Sequence, residues 1–244
     1  MKSEAGLKAP APTMRGGPLP ERHRRRWILA SAIVLVVLAV LAVVSVGLFI
    51  SLAPSLPPLA LPAEQAGAPV GPVDGTWRVG TGSVAGFRVQ ESALGLSNDV
   101  VGRTNAVTGT AVVSNDRVTS ATFRIDLGTL KVGGKAQPQF AQSLDTRDDP
   151  NATFTLTQPM TLGSAFSSGA TIATTATGQL TMRGASRLVT FTVTGRGDGA
   201  ALQAAGSGSI AFSDWGIKGP DSYGFLGSLA NHGVAEFLLV MQRQ

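Results

Sequence analysis

The residues in this chain that could do chemistry are few and scattered. Only two histidines occur, and there is no cysteine. His23 lies in a basic cluster near the start, while His232 stands alone close to the other end. A single imidazole offers neither a paired acid and base nor a ligand set, and a lone histidine reads more readily as a surface or capping residue. With no thiolate and one distant imidazole, zinc has nothing to bind. The G-x-S-x-G elbow that would expose a nucleophilic serine is missing. The run Asp145-Thr146-Arg147-Asp148-Asp149-Pro150 carries oxygen ligands, yet it lacks the calcium-loop spacing and holds Arg147 inside it, so it reads as a solvated turn. Gly133-Gly134-Lys135 is a poor phosphate loop: Gly128 is one residue too far upstream and Ala136 stands where Ser or Thr is needed. It reads as a hairpin turn. Asn151-Ala152-Thr153 fits a glycosylation sequon but falls at an expected strand start. No catalytic residue, metal site or cofactor is expected, and the chain does not read as an enzyme.

The elements that carry these residues are more informative. Residues 27–50 contain no charge and follow directly on Arg22, His23, Arg24, Arg25 and Arg26. A helix of that length spans roughly 36 Å, enough for a bilayer core. A secretory signal normally has an apolar region of about 7–15 residues and a nearby small-x-small cleavage site. Here the stretch is longer and the next such site, Ala66-Gly67-Ala68, lies well downstream. An uncleaved single-pass anchor over 27–52 is the favoured reading, and a cleaved signal is the alternative. The positive flank keeps residues 1–26 cytoplasmic and places the rest on the outer side of the cell membrane.

Charge supports that division. The net +5 resides wholly in residues 1–26, where seven bases face two acids; the remainder is formally neutral. A neutral domain has no electrostatic footprint for phosphate backbones, so no nucleic-acid partner is expected. The basic tail reads as a topology signal beside the anionic cytoplasmic leaflet. Residues 53–73 carry prolines at 54, 57, 58, 62, 69 and 72, which favour an extended spacer of up to roughly 60 Å. That leaves 74–244 as one globular domain, large enough to fold without disulfides.

Within it, period-two alternation recurs. Ala121, Phe123, Ile125 and Leu127 oppose Ser120, Thr122, Arg124 and Asp126; Ala152, Phe154 and Leu156 alternate with threonines, as do Val189, Phe191 and Val193. Such patterning marks half-buried antiparallel strands. Further strands are expected over 76–79, 84–90, 107–113, 170–182, 202–212 and 234–241. Turns are expected at 114–116, 195–199 and 206–208, where Gly, Asn and Asp cluster. About eight strands make an all-β antiparallel barrel or a sandwich. One short helix, 136–144, occupies the longest break and is placed to plug or cap a barrel end.

Several segments resemble the YceI-like family in the order that family shows. Trp77-Arg78-Val79 and Ser83-Val84-Ala85-Gly86-Phe87 are similar to its opening strand, and Val101-Gly102 with Thr108-Gly109-Thr110 to its next segment. Pro150-Asn151-Ala152-Thr153-Phe154 resembles a strand entry of the family, and 178–184 its GxLTxxG hairpin. Ser213-Asp214-Trp215-Gly216-Ile217 matches the sdfGI turn, with Trp215 for the usual Phe. The sequence departs from the family at Gly80, Thr81 and Gly82, where an Asp and a His are common, at Asp149, and near 131–135, where an Arg-Asp pair is usual. These departures concern the barrel mouth. The resemblance implies a lipocalin-like barrel that binds isoprenoid or other long-chain lipid.

The inward stripes name a candidate ligand surface: Phe87, Val89, Phe123, Ile125, Phe154, Leu156, Val189, Phe191, Val193, Ile210, Phe212 and Phe237. Each would serve equally as plain core, because every barrel needs such a stripe. Two functions follow. In the first, a membrane-anchored protein sequesters or transfers an apolar long-chain ligand held by burial alone. In the second, a ligand-free cell-envelope interaction or stress module has a filled barrel and an apolar patch on the last strand.

Overall fold

The structure, a computed structural model, describes residues 35, 38, 55–62, 71–93, 96–218 and 227–244. The expected anchor, 27–52, lies outside these apart from Leu35 and Leu38, which are helical. Among the described residues no helix is long and apolar enough to cross a membrane.

Thirteen strands are described, in chain order: β1 (Gly75–Val79), β2 (Val84–Ala93), β3 (Leu96–Thr104), β4 (Val107–Ser114), β5 (Arg117–Asp126), β6 (Lys131–Val132), β7 (Asn151–Leu156), β8 (Met160–Thr161), β9 (Ile172–Met182), β10 (Ala185–Asp198), β11 (Ala201–Ala211), β12 (Gly227–Leu229) and β13 (His232–Arg243). Among the described residues of this domain one α-helix, α1 (Pro138–Leu144), follows β6. The ring runs β1–β4–β5–β7–β9–β10–β11–β13 and closes because β13 returns to β1, with Trp77 opposite Arg243 and Val79 opposite Met241. The result is a closed eight-stranded antiparallel barrel: of the two architectures the alternation allowed, the one the resemblance implied.

β1 and β2 lie end to end along β13. Between them the chain turns, and Ser83 closes the break: its hydroxyl donates to the Gly80 carbonyl at 2.9 Å and accepts from the Val240 amide at 3.0 Å. β2 then leaves the ring to pair with β3, and β3 with β6. β3 was not expected, because its polar sequence LSNDVVGRT hides any alternation.

Glycines behave differently from the reading above. Of the turn expected at 195–199 only Gly199, with φ of 59°, lies in a turn, the one between β10 and β11; residues 195–198 continue β10, and 206–208 lie inside β11. Gly206 and Gly208 are small because a phenylalanine reclines on each. A Cβ on Gly206 would stand 2.5 Å from Phe237 Cζ, and one on Gly208 3.0 Å from Phe191 Cδ1. Phe123 lies over Gly109 in the same way, Phe87 over Gly102 and Phe154 over Gly178. Rings laid flat on the wall leave the middle of the barrel open. Replacing Gly206 with Ala forces the Phe237 ring inward and also meets the Thr192 carbonyl oxygen at 2.7 Å. It should lower unfolding free energy by about 1–3 kcal/mol in chemical denaturation, the usual cost of overpacking.

Two buried clusters form the core. One gathers around Trp77, Val113, Val118, Leu162, Phe166 and Met241; the other around Phe154, Leu180, Met182, Phe191, Ile210 and Trp215. Phe123, Ile125, Leu156, Met160 and Phe237 pack against both yet are only partly buried. They sit on inward positions, and their free surface faces an internal space.

Residues 55–62, expected to be part of a free spacer, lie instead along the outside of the barrel wall. Arg88 donates to the Leu56 carbonyl at 2.7 Å, Arg103 to that of Pro57, and Arg196 to that of Pro62 at 3.3 Å.

Candidate functional site

The internal space is a cavity of about 240 Å³. Eleven of the twelve candidate residues line it: Phe87, Val89, Phe123, Ile125, Phe154, Leu156, Phe191, Val193, Ile210, Phe212 and Phe237. Val189 does not; it packs against the second core cluster without reaching the cavity. Alternation gave its face correctly, but not how far along the wall the open space extends.

The aromatic groups form a connected wall. Phe191 meets Phe154 edge to face, with centroids 5.5 Å apart and planes at 87°, and Phe237 at 5.6 Å and 65°. Such tilted pairs are favoured by the ring quadrupoles and fix the orientation of each ring. Small residues line it between the rings, including Ala85, Ala111, Ala121, Ala152, Ala176 and Ala204; Ala85 pairs with Phe237 and Ala176 with Phe191 across neighbouring strands. Alternation places Ala121 and Ala152 on the inward face, while the other four are too small to mark a face by themselves. Alanines interleaved with rings that recline on the wall leave volume unfilled.

Helix α1 contributes Phe140, Ser143 and Leu144 to the lining, and Phe140 packs on Phe87 at 5.7 Å. It therefore covers part of the cavity, as its place in the sequence suggested. Its position is held by Arg183, which sits in the tight turn between β9 and β10 with φ of 50°. The guanidinium donates to the carbonyls of Ser143 at 2.8 Å, Trp215 at 3.0 Å and Gly216 at 3.4 Å. One side chain thus joins the end of α1 to the turn Phe212–Trp215. That turn leads to Ile217 and Lys218, which also line the cavity.

Among the described residues, two ionisable side chains belong to the lining. Glu236 follows β13 alternation outward, and its carboxylate is taken up by Arg103 at 2.9 Å on the outer wall. Lys218 is exposed, so its ammonium can reach water while its stem covers apolar surface. Everything else on the lining offers burial. A group that enters gains roughly 25 cal/mol per Å² of apolar area, and a polar group that enters unpaired loses more.

The remaining candidates lie elsewhere. His232 is exposed at the start of β13 with Nδ1 3.0 Å from Asn231 Oδ1. Asp145 ends α1 in the left-handed conformation, and 145–149 form the turn after it. Gly133 and Gly134 form the tight turn between Val132 and Lys135, as expected.

Comparison with known proteins agrees with this geometry. A family model described as the YceI-like domain matches residues 77–235. Among solved structures, a polyisoprenoid binding domain from Saccharophagus degradans, implicated in plant cell wall breakdown, is 14% identical with a TM-score of 0.51. The match covers 69% of this chain and 98% of that one. BcnA of Burkholderia cenocepacia is 19% identical with a TM-score of 0.48, over 63% of this chain and 95% of that one. The first likeness shows a shared fold. No curated protein sequence matches the chain.

Proposed function

The chain belongs to the YceI-like family, and we propose that it is a membrane-anchored, extracytoplasmic lipid-binding protein that holds an isoprenoid or similar apolar chain inside its barrel. The observation that carries this reading is the apolar cavity of about 240 Å³ enclosed by the Phe154–Phe191–Phe237 wall. The name of the Saccharophagus degradans domain supports the ligand class. The uncharged stretch at 27–50 behind a basic flank supports the anchor and its orientation. The proposed role is binding and transfer rather than catalysis.

Volume sets a limit on what fits. A cavity of about 150 Å³ accommodates benzene, with six heavy atoms, so this one accommodates on the order of ten. That is about two isoprene units. A longer chain extends beyond the cavity or tips the reclining rings aside.

A chain-length series tests the reading. For linear alkanols, each added methylene should improve affinity by about 0.8 kcal/mol, roughly fourfold, and the gain should level off near ten carbons. Affinity independent of length from the shortest member upward would show that the cavity is not the site. The interaction-module reading needs a filled barrel and an exposed apolar last strand. Among the described residues the cavity is open, and Val234, Leu238 and Val240 are half-buried.

A further inference from the structure

Three outward-facing residues on neighbouring strands are buried on the outer wall. Glu236 on β13 is 3% exposed, Ala205 on β11 5% and Arg196 on β10 7%. Residues 55–62 lie against all three, and Arg88 and Arg103 also close over Glu236. The Leu59 amide donates to Glu236 Oε2 at 3.3 Å, Arg196 donates to the Pro62 carbonyl, and Leu59, Ala60, Leu61 and Pro62 line a groove with Thr194, Ala205 and Ser207. At the other end, Arg88 and Arg103 both pair with Glu236 and each also donates to a carbonyl of the segment.

The recognition is suited to a proline-rich chain. Proline offers no amide hydrogen but leaves its carbonyl free, and extended polyproline-like backbone presents those carbonyls outward. Three arginines supply the donors, and the single amide used belongs to Leu59, which is not proline. Leu59 and Leu61 turn toward the wall while their neighbours stay exposed. Few apolar contacts and largely solvated hydrogen bonds are the marks of a segment that opens at low cost, well before the barrel unfolds.

We propose that residues 55–62 are a releasable strap, and that the outer wall of β2, β3, β10, β11 and β13 is its docking surface. This rests on the anchored reading above. Docked at Leu56, the strap leaves only residues 53–55 between the expected anchor and the wall, a reach of at most about 10 Å. Released, residues 53–73 extend to roughly 60 Å. The strap then decides whether the barrel is held at the bilayer to exchange lipid or reaches away from it to deliver.

The absence of cysteine makes the test clean. In the full chain, Ala205→Cys places the only thiol beneath the strap, and Thr119→Cys places one on an exposed part of β5 as the reference. Maleimide should label Ala205→Cys at least about tenfold more slowly than Thr119→Cys. Replacing residues 55–62 by a Gly/Ser run of equal length should remove that protection, with circular dichroism unchanged. Equal rates in the unaltered chain, or protection that survives the replacement, would overturn docking. In vesicles, energy transfer from a dye on Thr119→Cys to a lipid acceptor should fall when the strap is replaced. Unchanged transfer together with a deprotected Ala205→Cys would overturn the control of reach. The labelling result stands whether or not the barrel binds lipid, so the two readings fail separately.

Discussion

Trp77→Ala should lower the unfolding free energy of the barrel by about 3–5 kcal/mol, the usual cost of emptying a large aromatic site. Trp77 is 1% exposed and lies at the centre of the first core cluster, where β1 joins β4 and β13 and the barrel closes. Its indole N–H donates to the Val73 carbonyl at 2.8 Å, and Arg243 lies over its ring at 4.8 Å. Truncation leaves a void and removes the partner of a buried carbonyl, and both terms destabilise. For a domain of this size the midpoint of thermal unfolding should fall by roughly 6–20 °C. Leu188→Ser is the control: Leu188 is 69% exposed on β10, and its replacement should stay within about 0.5 kcal/mol. A Trp77 variant no less stable than the Leu188 variant would show that closure does not depend on this site.

The second large effect is on ligand. Phe191→Arg should abolish retention of an apolar ligand, because it brings a charge into a lining that has no partner for it and breaks contacts to both Phe154 and Phe237. Phe123→Arg, on the facing strand β5, should do the same. Either change also strains the fold, so a gentler companion is needed. Ala121→Leu adds three carbon atoms to the lining and keeps it apolar. It should displace about three methylenes of ligand, weakening a chain that fills the cavity by about 2.4 kcal/mol, or roughly fiftyfold, while thermal stability is kept. Isothermal titration with decanol would register this. Undiminished affinity in Ala121→Leu would place the ligand outside the barrel.

Much of the barrel was legible because a strand writes its two faces into alternate residues. Phe123 and Ile125 against Thr122 and Arg124 give the inside and outside of β5 without further information. Alternation fails where a residue's role comes from a neighbouring strand. Gly206 and Gly208 looked like turn residues, but they are small because Phe237 and Phe191 lie across them, and those contacts depend on register. The cavity follows from the same contacts, so its phenylalanines were evident in the sequence while the space left by their reclining rings and the alanines between them was not. β3 was missed for a related reason: Gly102 carries the Phe87 ring, and Asp99 and Arg103 are paired with Arg88 and Glu236 rather than solvated.

The strap was hidden in another way. Proline at 57, 58 and 62 announces extended backbone but not what that backbone touches. Its partners, Arg88, Arg103, Arg196 and Glu236, lie on four different strands and look like ordinary outward charges in sequence. A buried acid between two arginines was the available signal, and it becomes one only when β13 is set beside β2 and β2 beside β3.

The central claim is that the barrel encloses an apolar ligand. Native mass spectrometry with lipid extraction, on residues 53–244 purified without the expected anchor, addresses it most directly. The account predicts a co-purified apolar mass, or uptake of an added isoprenoid, that is lost in Phe191→Arg and reduced in Ala121→Leu. A bare protein mass that stays unchanged after incubation with short and long isoprenoids alike would contradict it.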